Sequence, residues 1–294
     1  AVFTSGQPHP KDKICKFINF EDDGFKVSPH VGLLETEAAK DKKQHLLDVW
    51  FDRIEAENKF CVKTTVNAQD EWLHSFYYFN DEIPTDADFE KTVGDYLSFE
   101  FSMIMQGRRY LFENVDSEIE AEKDNDVKKN FKLSDREWKE FRIGDLFEVS
   151  RGNAKNLTDI KDDGDIAVVS ASDKNNGCQK FTNKINNEAI FKKVISVNNN
   201  GSIGFTYYHP YNFIASSDVS ILQKEKYLSE NLAKFICNQI KIQSDKYHYG
   251  YKMSNNRLLN QKILLPVSEN GEPDYGFMEN YIHELEQEKL SEYK

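Results

Sequence analysis

The 294-residue chain has only four cysteines, Cys15, Cys61, Cys178 and Cys237, with no CxxC pair and no histidine at ligand spacing from any of them. That scarcity excludes zinc fingers and a disulfide framework, and it points to reduced thiols in a cytoplasmic protein. No run of about eighteen apolar residues occurs, so no membrane span is expected. The start, Ala1-Val-Phe-Thr-Ser-Gly-Gln-Pro, lacks the basic-then-apolar order of a signal peptide. It also lacks an initiator methionine, and a piece of a longer polypeptide is the expectation. The seven histidines are scattered, with neither metal-ligand spacing nor a catalytic triad among them. Positive charge is scarce too: 38 Lys+Arg against 50 Asp+Glu leave a net −12.

What is present is ordinary for a globular protein, 39% hydrophobic and 30% charged, with length enough for two domains. The charge deficit is uneven. Residues 1–132 carry 17 basic and 27 acidic groups, whereas residues 133–294 carry 21 and 23. Within the second part, residues 174–262 hold 13 basic and 5 acidic groups, a net +8. A basic segment of that size suits a phosphate backbone as well as a solvated surface.

Patterning divides the chain into a module over 1–112, a charged linker over 113–136 and a domain over 137–294. In the first, Lys16–Phe20 and Glu21–Val27 read as strand, turn and strand about Asp23-Gly24. Leu47, Trp50, Phe51 and Ile54 form one apolar helical stripe, Phe60–Val66 a strand, and Thr85-Asp-Ala-Asp88 opens a helix faced by Phe89, Val93, Tyr96 and Leu97. The linker is too polar to order itself. In the second domain Trp138, Phe141, Ile143, Leu146 and Phe147 anchor a strand and a helical turn. Strands follow over 166–170, 190–197, 203–208 and 213–222, then a helix faced by Leu228, Leu232, Phe235 and Ile236. The strand Lys262–Leu265 is ended by Pro266, and Asp274 caps a final helix whose stripe is Met278, Tyr281, Ile282 and Leu285. A terminal amphipathic helix is a candidate for docking on a partner or a second copy. The fold class is therefore α+β: a mixed-sheet domain with a C-terminal amphipathic helix, plus a smaller α/β N-terminal module.

Four phrases carry a resemblance. They are Trp138-Lys-Glu-Phe-Arg-Ile-Gly-Asp-Leu-Phe-Glu-Val with Arg151-Gly152; Val194-Ile-Ser-Val-Asn-Asn-Asn-Gly-Ser-Ile-Gly-Phe with Ser216-Ser-Asp-Val-Ser-Ile-Leu; Lys252-Met-Ser-Asn-Asn-Arg-Leu-Leu-Asn-Gln-Lys-Ile-Leu-Leu-Pro; and Gly271-Glu-Pro-Asp-Tyr-Gly-Phe-Met-Glu-Asn-Tyr-Ile. In this order they resemble the DNA target-recognition domain of specificity subunits in type I and related restriction–modification systems. The N-terminal segment, with Phe3-Thr-Ser-Gly-Gln-Pro-His-Pro, the Phe17–Phe25 stretch and Lys40-Asp-Lys-Lys-Gln-His-Leu-Leu-Asp-Val-Trp-Phe, resembles the C-terminal end of an adenine-specific DNA methylase subunit. The resemblance implies sequence-specific recognition of double-stranded DNA for an adenine methyltransferase, with one recognition domain where the family carries two. It implies a methylase domain or subunit as partner, a nuclease subunit where cleavage occurs, and S-adenosylmethionine on the methylase. The chain itself has neither an Asn-Pro-Pro-aromatic motif nor a glycine-rich S-adenosylmethionine loop, so no cofactor and no catalysis of its own are expected.

Asn198-Asn-Asn-Gly-Ser-Ile-Gly has two readings: amides that touch base edges, since Asn pairs with adenine, or a hairpin in which Asn and Gly supply positive φ. Flanking apolar strands favour the hairpin. Tyr247-His-Tyr-Gly-Tyr-Lys-Met-Ser-Asn-Asn-Arg mixes rings and cations as a nucleic-acid surface does, or packs its tyrosines on the domain while Ser254 caps a short helix. The candidate DNA contacts are Arg151, Lys174, Lys180, Lys184, Lys192, Lys193, Tyr247, Tyr249, Lys252, Asn255, Asn256 and Arg257, the lysines for phosphates and Asn255, Asn256 and Arg257 for bases. A metal-dependent nuclease built on Asp274 and Glu292 is rejected, because some eighteen residues of helix would hold them roughly 27 Å apart. The alternative function is a protein–protein adaptor that docks on a methylase or nuclease without reading DNA; the net −12 favours it.

Overall fold

The computed structural model describes residues 6–113, 131–224, 228–248 and 250–292. The expected charged linker falls largely on 114–130, outside the described residues. The chain forms two units, Ala1–Asn80 and Asp81–Lys294.

The first unit holds β1 (Cys15–Ile18), β2 (Phe25–Ser28), β3 (Gly32–Glu35), α1 (Glu37–Trp50), β4 (Cys61–Thr64) and α2 (His74–Tyr77). The expected pairing across Asp23-Gly24 does not form: β1 pairs antiparallel with β4, and β2 with β3. The Asp22 and Asp23 carboxylates instead accept from the amides of Gly24 and Phe25. Gly24, at φ +78°, lies so close to α1 that a Cβ would sit 2.6 Å from Ala39 Cα. The glycine thus serves helix approach rather than a hairpin. The α1 stripe also differs from expectation. Ala39 and Val49 are buried, while Leu47, Trp50, Phe51 and Ile54 are all exposed, Trp50 by 58% and Phe51 by 59%. On the β2–β3 hairpin the cross-strand pair Val27 and Leu33 is exposed as well.

The second unit begins with α3 (Asp86–Met105), then β5 (Glu137–Arg142), α4 (Ile143–Leu146), β6 (Glu148–Arg151), β7 (Ile166–Val169), β8 (Cys178–Thr182) and β9 (Val194–Asn198). It continues with β10 (Thr206–His209), β11 (Phe213–Ala215), β12 (Val219–Gln223), α5 (Glu230–Ile242), α6 (Asn255–Asn260), β13 (Lys262–Val267) and α7 (Tyr275–Glu292). α3 belongs here and not to the N-terminal module, which moves the boundary from 112 to 80. The reason lies in its apolar face. Phe89, Val93 and Leu97 are buried, with the Phe89 ring 4.6 Å from that of Phe235 on α5 and 5.2 Å from that of Tyr281 on α7. Thr92 donates to Asn238 of α5, and Tyr96 Oη accepts from the Tyr208 amide at 2.6 Å.

Three sheets follow: β10-β9-β12-β6, β11-β7-β8 and β13-β5. The mixed character is confirmed by β11, which runs parallel to β7 while β8 runs antiparallel. The apolar run 213–222 is two strands, not one. β11 pairs with β7, the chain turns at Ser216–Asp218, and β12 joins the other sheet between β9 and β6. β13 runs through Pro266 to Val267, because it pairs with β5 alone and its outer edge does not need the missing N–H. One core cluster joins residues of the first two sheets and the segments beside them, Val169, Phe181, Phe191, Val194, Phe213, Val219 and Ile221, with Phe99 and Met103 of α3.

α7 is capped by Asp274, whose carboxylate accepts from Phe277 N–H at 2.9 Å and pairs with Arg136 at 2.8 Å. Most of its stripe is spent inside the unit: Met278, Tyr281 and Ile282 are buried, as is Phe277, where α7 packs on α5 and α3, and Leu285 is half-buried. Glu286 of α7 turns in to Lys234. That lysine is 1% exposed and paired with Glu230 and Glu286, each at 2.8 Å. Burial alone would lower its pKa; the two carboxylates outweigh it and hold the ammonium above the usual lysine value.

Candidate nucleic-acid interface

The carboxyl ends of β6, β7, β9 and β11 meet at one end of the second unit. The loops leaving them are stitched together by backbone bonds. Ala154 N donates to Ala215 O, Ser216 N to Val169 O, Asn199 N to Asp218 O and Ser202 N to Ala171 O. Asn198 Nδ2 adds a bond to Ser172 O at 3.0 Å. Two glycines make the approach possible: a Cβ on Gly152 would lie 2.3 Å from Ser216 O, and one on Gly201 2.8 Å from Ala171 O. Gly201 and Gly204 supply the positive φ of the β9–β10 turn, at +71° and +81°; none of its asparagines does.

Between these loops lies an open groove of about 540 Å³, lined among others by Lys155, Asn156, Ser170, Asn200, Ser217 and Asp218. Its volume is in the range of about 300–1,000 Å³ typical of ligand sites. Exposed Lys155 and Ser217 stand beside half-buried Asn200 and Asp218. Arg151 reaches the same place, its Nε donating to the Ser217 carbonyl. Asn153 ties the loop to the segment between Lys184 and Lys192, with Nδ2 donating to Asn187 O and Oδ1 accepting from Ala189 N. Among the described residues Lys155, Lys174, Lys184 and Lys192 form no ion pair, and all four are exposed.

The structure divides the sequence candidates. Arg151, Lys174, Lys184, Lys192 and Asn256 are exposed; Lys193 and Lys252 are half-buried. Lys180 is anchored, its Nζ donating to Leu157 O at 2.8 Å and Ile160 O at 2.7 Å, so it closes a loop and is not held out toward a phosphate. Tyr247 is buried, donates to Gln261 and stacks on Tyr251. Tyr249 lies outside the described residues. Asn255 accepts from Ser220 Oγ at 2.6 Å and donates to Ser150 O at 3.2 Å, which fastens α6 to β12 and β6. Arg257 lies 3.9 Å over the Tyr251 ring and donates to Lys252 O. Ser254 does cap α6, accepting from Arg257 N. The packing alternative for the 247–257 stretch therefore holds for Tyr247, Asn255 and Arg257. The groove residues Lys155, Asn156, Ser217 and Asp218 were not among the sequence candidates, because only the fold gathers loops separated by as many as 63 positions, from Lys155 to Asp218.

Among the described residues no three His, Cys, Asp or Glu side chains are grouped to hold a metal, and no helix is long and apolar enough to cross a membrane. Comparison with known proteins gives a consistent pattern. A 115-residue stretch, 39% of this chain, is 49% identical to the type II restriction enzyme and methyltransferase RM.BcgI of Heyndrickxia coagulans, of which it covers 18%. The resemblance of the N-terminal segment to a methylase subunit is matched by this relative. Over 193 residues, 65% of the chain, it is 33% identical to the specificity subunit S.BcgI of the same organism, covering 54% of it. The chain thus spans little more than half of one curated relative and under a fifth of the other. Among solved structures, the S subunit of a type I system from M. genitalium aligns over 70% of this chain and 53% of its own, with TM-score 0.41 and 18% identity. The HsdS subunit from Thermoanaerobacter tengcongensis aligns over 70% and 50%, with TM-score 0.37 and 10% identity. The family model of the type I restriction modification DNA specificity domain matches residues 135–293, more than half of the sequence, and the chain belongs to that family.

Proposed function

We propose that this chain recognises a double-stranded DNA sequence on behalf of an adenine methyltransferase, and that the loops around the strand-end groove make the contact. The observation that carries this is the groove itself: polar side chains of both hydrogen-bonding senses, with Arg151 and Lys155 beside them. Cations fix the phosphate backbone and carry no base information; directional groups between them read base edges. The chain is non-catalytic in this reading. S-adenosylmethionine and base flipping belong to a methylase domain or subunit, and cleavage to a nuclease subunit.

The first unit supplies the protein contact. Its Trp50, Phe51, Ile54, Val27 and Leu33 are large apolar side chains exposed to water, surface suited to a protein partner. The RM.BcgI match makes a methylase the natural owner of the complementary face. The same surface also favours the adaptor alternative, in which no DNA is bound.

Binding of the full chain to a duplex library at several salt concentrations separates the two. In the DNA-reading case affinity falls steeply with salt. Lys155→Ala and Lys174→Ala are each expected to weaken all sequences alike and to reduce the salt slope by about one unit. Lys180→Ala is expected to leave that slope unchanged and to lower thermal stability, by roughly 1–3 kcal/mol, because two carbonyls lose their donor. Binding that is absent or insensitive to salt would establish the adaptor reading instead.

A further inference from the structure

The β9–β10 turn presents three asparagines, and the fold commits two of them. Asn198 is fully buried and donates to Ser172 O, and Asn199 is buried and donates to Ser220 Oγ at 3.1 Å. Asn200 alone lines the groove. Its Nδ2 donates to Asp218 Oδ1 at 3.2 Å. That bond decides which way the amide faces, because a carboxylate can only accept. The nitrogen turns to Asp218, and the amide oxygen and its second N–H are directed elsewhere. Asp218 is itself held from both sides, its amide on Ser216 Oγ and its carbonyl on Asn199 N–H.

The chemistry of the occupant follows. A carboxylate in the groove repels phosphate and rewards N–H donors. Guanine shows the major groove two acceptors, N7 and O6, and thymine shows O4; each would set oxygen against the Asp218 carboxylate. Cytosine offers its N4 donor but nothing to accept the Asn200 N–H. Adenine offers both, N7 to accept and N6 to donate, the edge that an asparagine amide matches with two bonds. We propose that Asn200, oriented by Asp218, reads one adenine of the target through its N6 and N7. The proposal rests on the DNA-recognition reading and names the residue and base within it.

The test uses the full chain and the duplex that it selects from a randomised library. Each adenine of that duplex is replaced in turn by 7-deazaadenine, which lacks N7, or by purine, which lacks the N6 amino group. At one adenine both replacements are expected to weaken the wild type about ten- to a hundred-fold. Asn200→Ala should lose a similar factor on the intact site, lose nothing further from either replacement there, and keep the wild-type salt slope. Asp218→Ala should relax preference at that same position and at no other. If no adenine of the selected site depends on both N6 and N7, the proposal is wrong without any variant having been made. If one does, but Asn200→Ala retains that dependence, another residue reads it. In both of these outcomes DNA recognition stands; a wild type that shows no salt-dependent binding would instead remove the functional reading beneath the proposal.

Discussion

A chain truncated before Asp274 is expected to lose the cooperative melting of its larger unit. Truncation removes Phe277, Met278, Tyr281 and Ile282 from the core they share with Phe89 and Phe235. Emptying one such site costs about 2–5 kcal/mol, and a whole domain is stable by only about 5–15 kcal/mol. It also takes Glu286 from Lys234, and a buried ammonium that loses one of two charged partners costs a further 1.5–3 kcal/mol or so. The sequence offered α7 as a docking helix; its apolar face is instead buried within the unit. Circular dichroism melts and limited proteolysis check the expected loss. A truncated chain with a native spectrum and a sharp transition would show that α7 is dispensable. Glu286→Ala should cost about 1.5–3 kcal/mol with the full helix still present, because Lys234 loses one charged partner and keeps Glu230.

The second large effect is on acid stability. His209 is wholly enclosed, with Ser196 Oγ 2.8 Å from Nε2, Tyr211 Oη 3.0 Å from Nδ1 and the Phe213 ring centred 4.4 Å away. Burial pushes its pKa down to about 3. The neutral ring is well served, since hydroxyls can give to one nitrogen and take from the other. The unfolded chain binds this proton near pH 6.5 and the native state does not until about pH 3. Native stability from this group is therefore complete above pH 6.5 and is lost as pH falls. The loss is about 1.4 kcal/mol per unit, close to 2 kcal/mol by pH 5 and on the order of 5 kcal/mol over the whole window. Urea melts between pH 7 and 5 stay above the usual carboxylate range and so isolate the effect. His209→Gln should flatten the dependence; equal slopes in variant and wild type would refute it.

Much of this fold was readable in the residues. Helices with strong stripes or caps, such as α3 behind Thr85, α5 and α7 behind Asp274, stand where periodicity and capping place them. Periodicity does not say what a stripe packs against. Leu47 and Trp50 of α1 are exposed, as are Phe51 and Ile54 beyond its end, while the apolar residues of α3 join a domain assigned to the far side of the linker. Strand runs were found, but pairing was not. Cys15–Ile18 takes its partner from Cys61–Thr64 across more than forty residues, and no turn motif reports that. β8 was missed because Gln179 and Lys180 break its apolar run. Charge pointed to the unit that holds the groove, and composition pointed in part to residues that the fold uses for packing. Rings and cations at 247–257 look like a nucleic-acid surface but are largely occupied with one another, whereas the groove is assembled from short polar turns that look like any loop.

Gly152 has a consequence for how recognition could change. The loop it begins touches the Ser216 carbonyl main chain to main chain, so the spacing of the groove walls is set by backbone and not by the side chains that project between them. Exchanging Asn156, Asn200 or Ser217 should alter what is read and leave the frame as it is, whereas one methyl on Gly152 should spread the walls and spoil every target together. A frame fixed in this way is ordered before its ligand arrives. Little ordering entropy is left to lose on binding. Cognate and near-cognate duplexes should then associate at similar rates and differ in how long they stay.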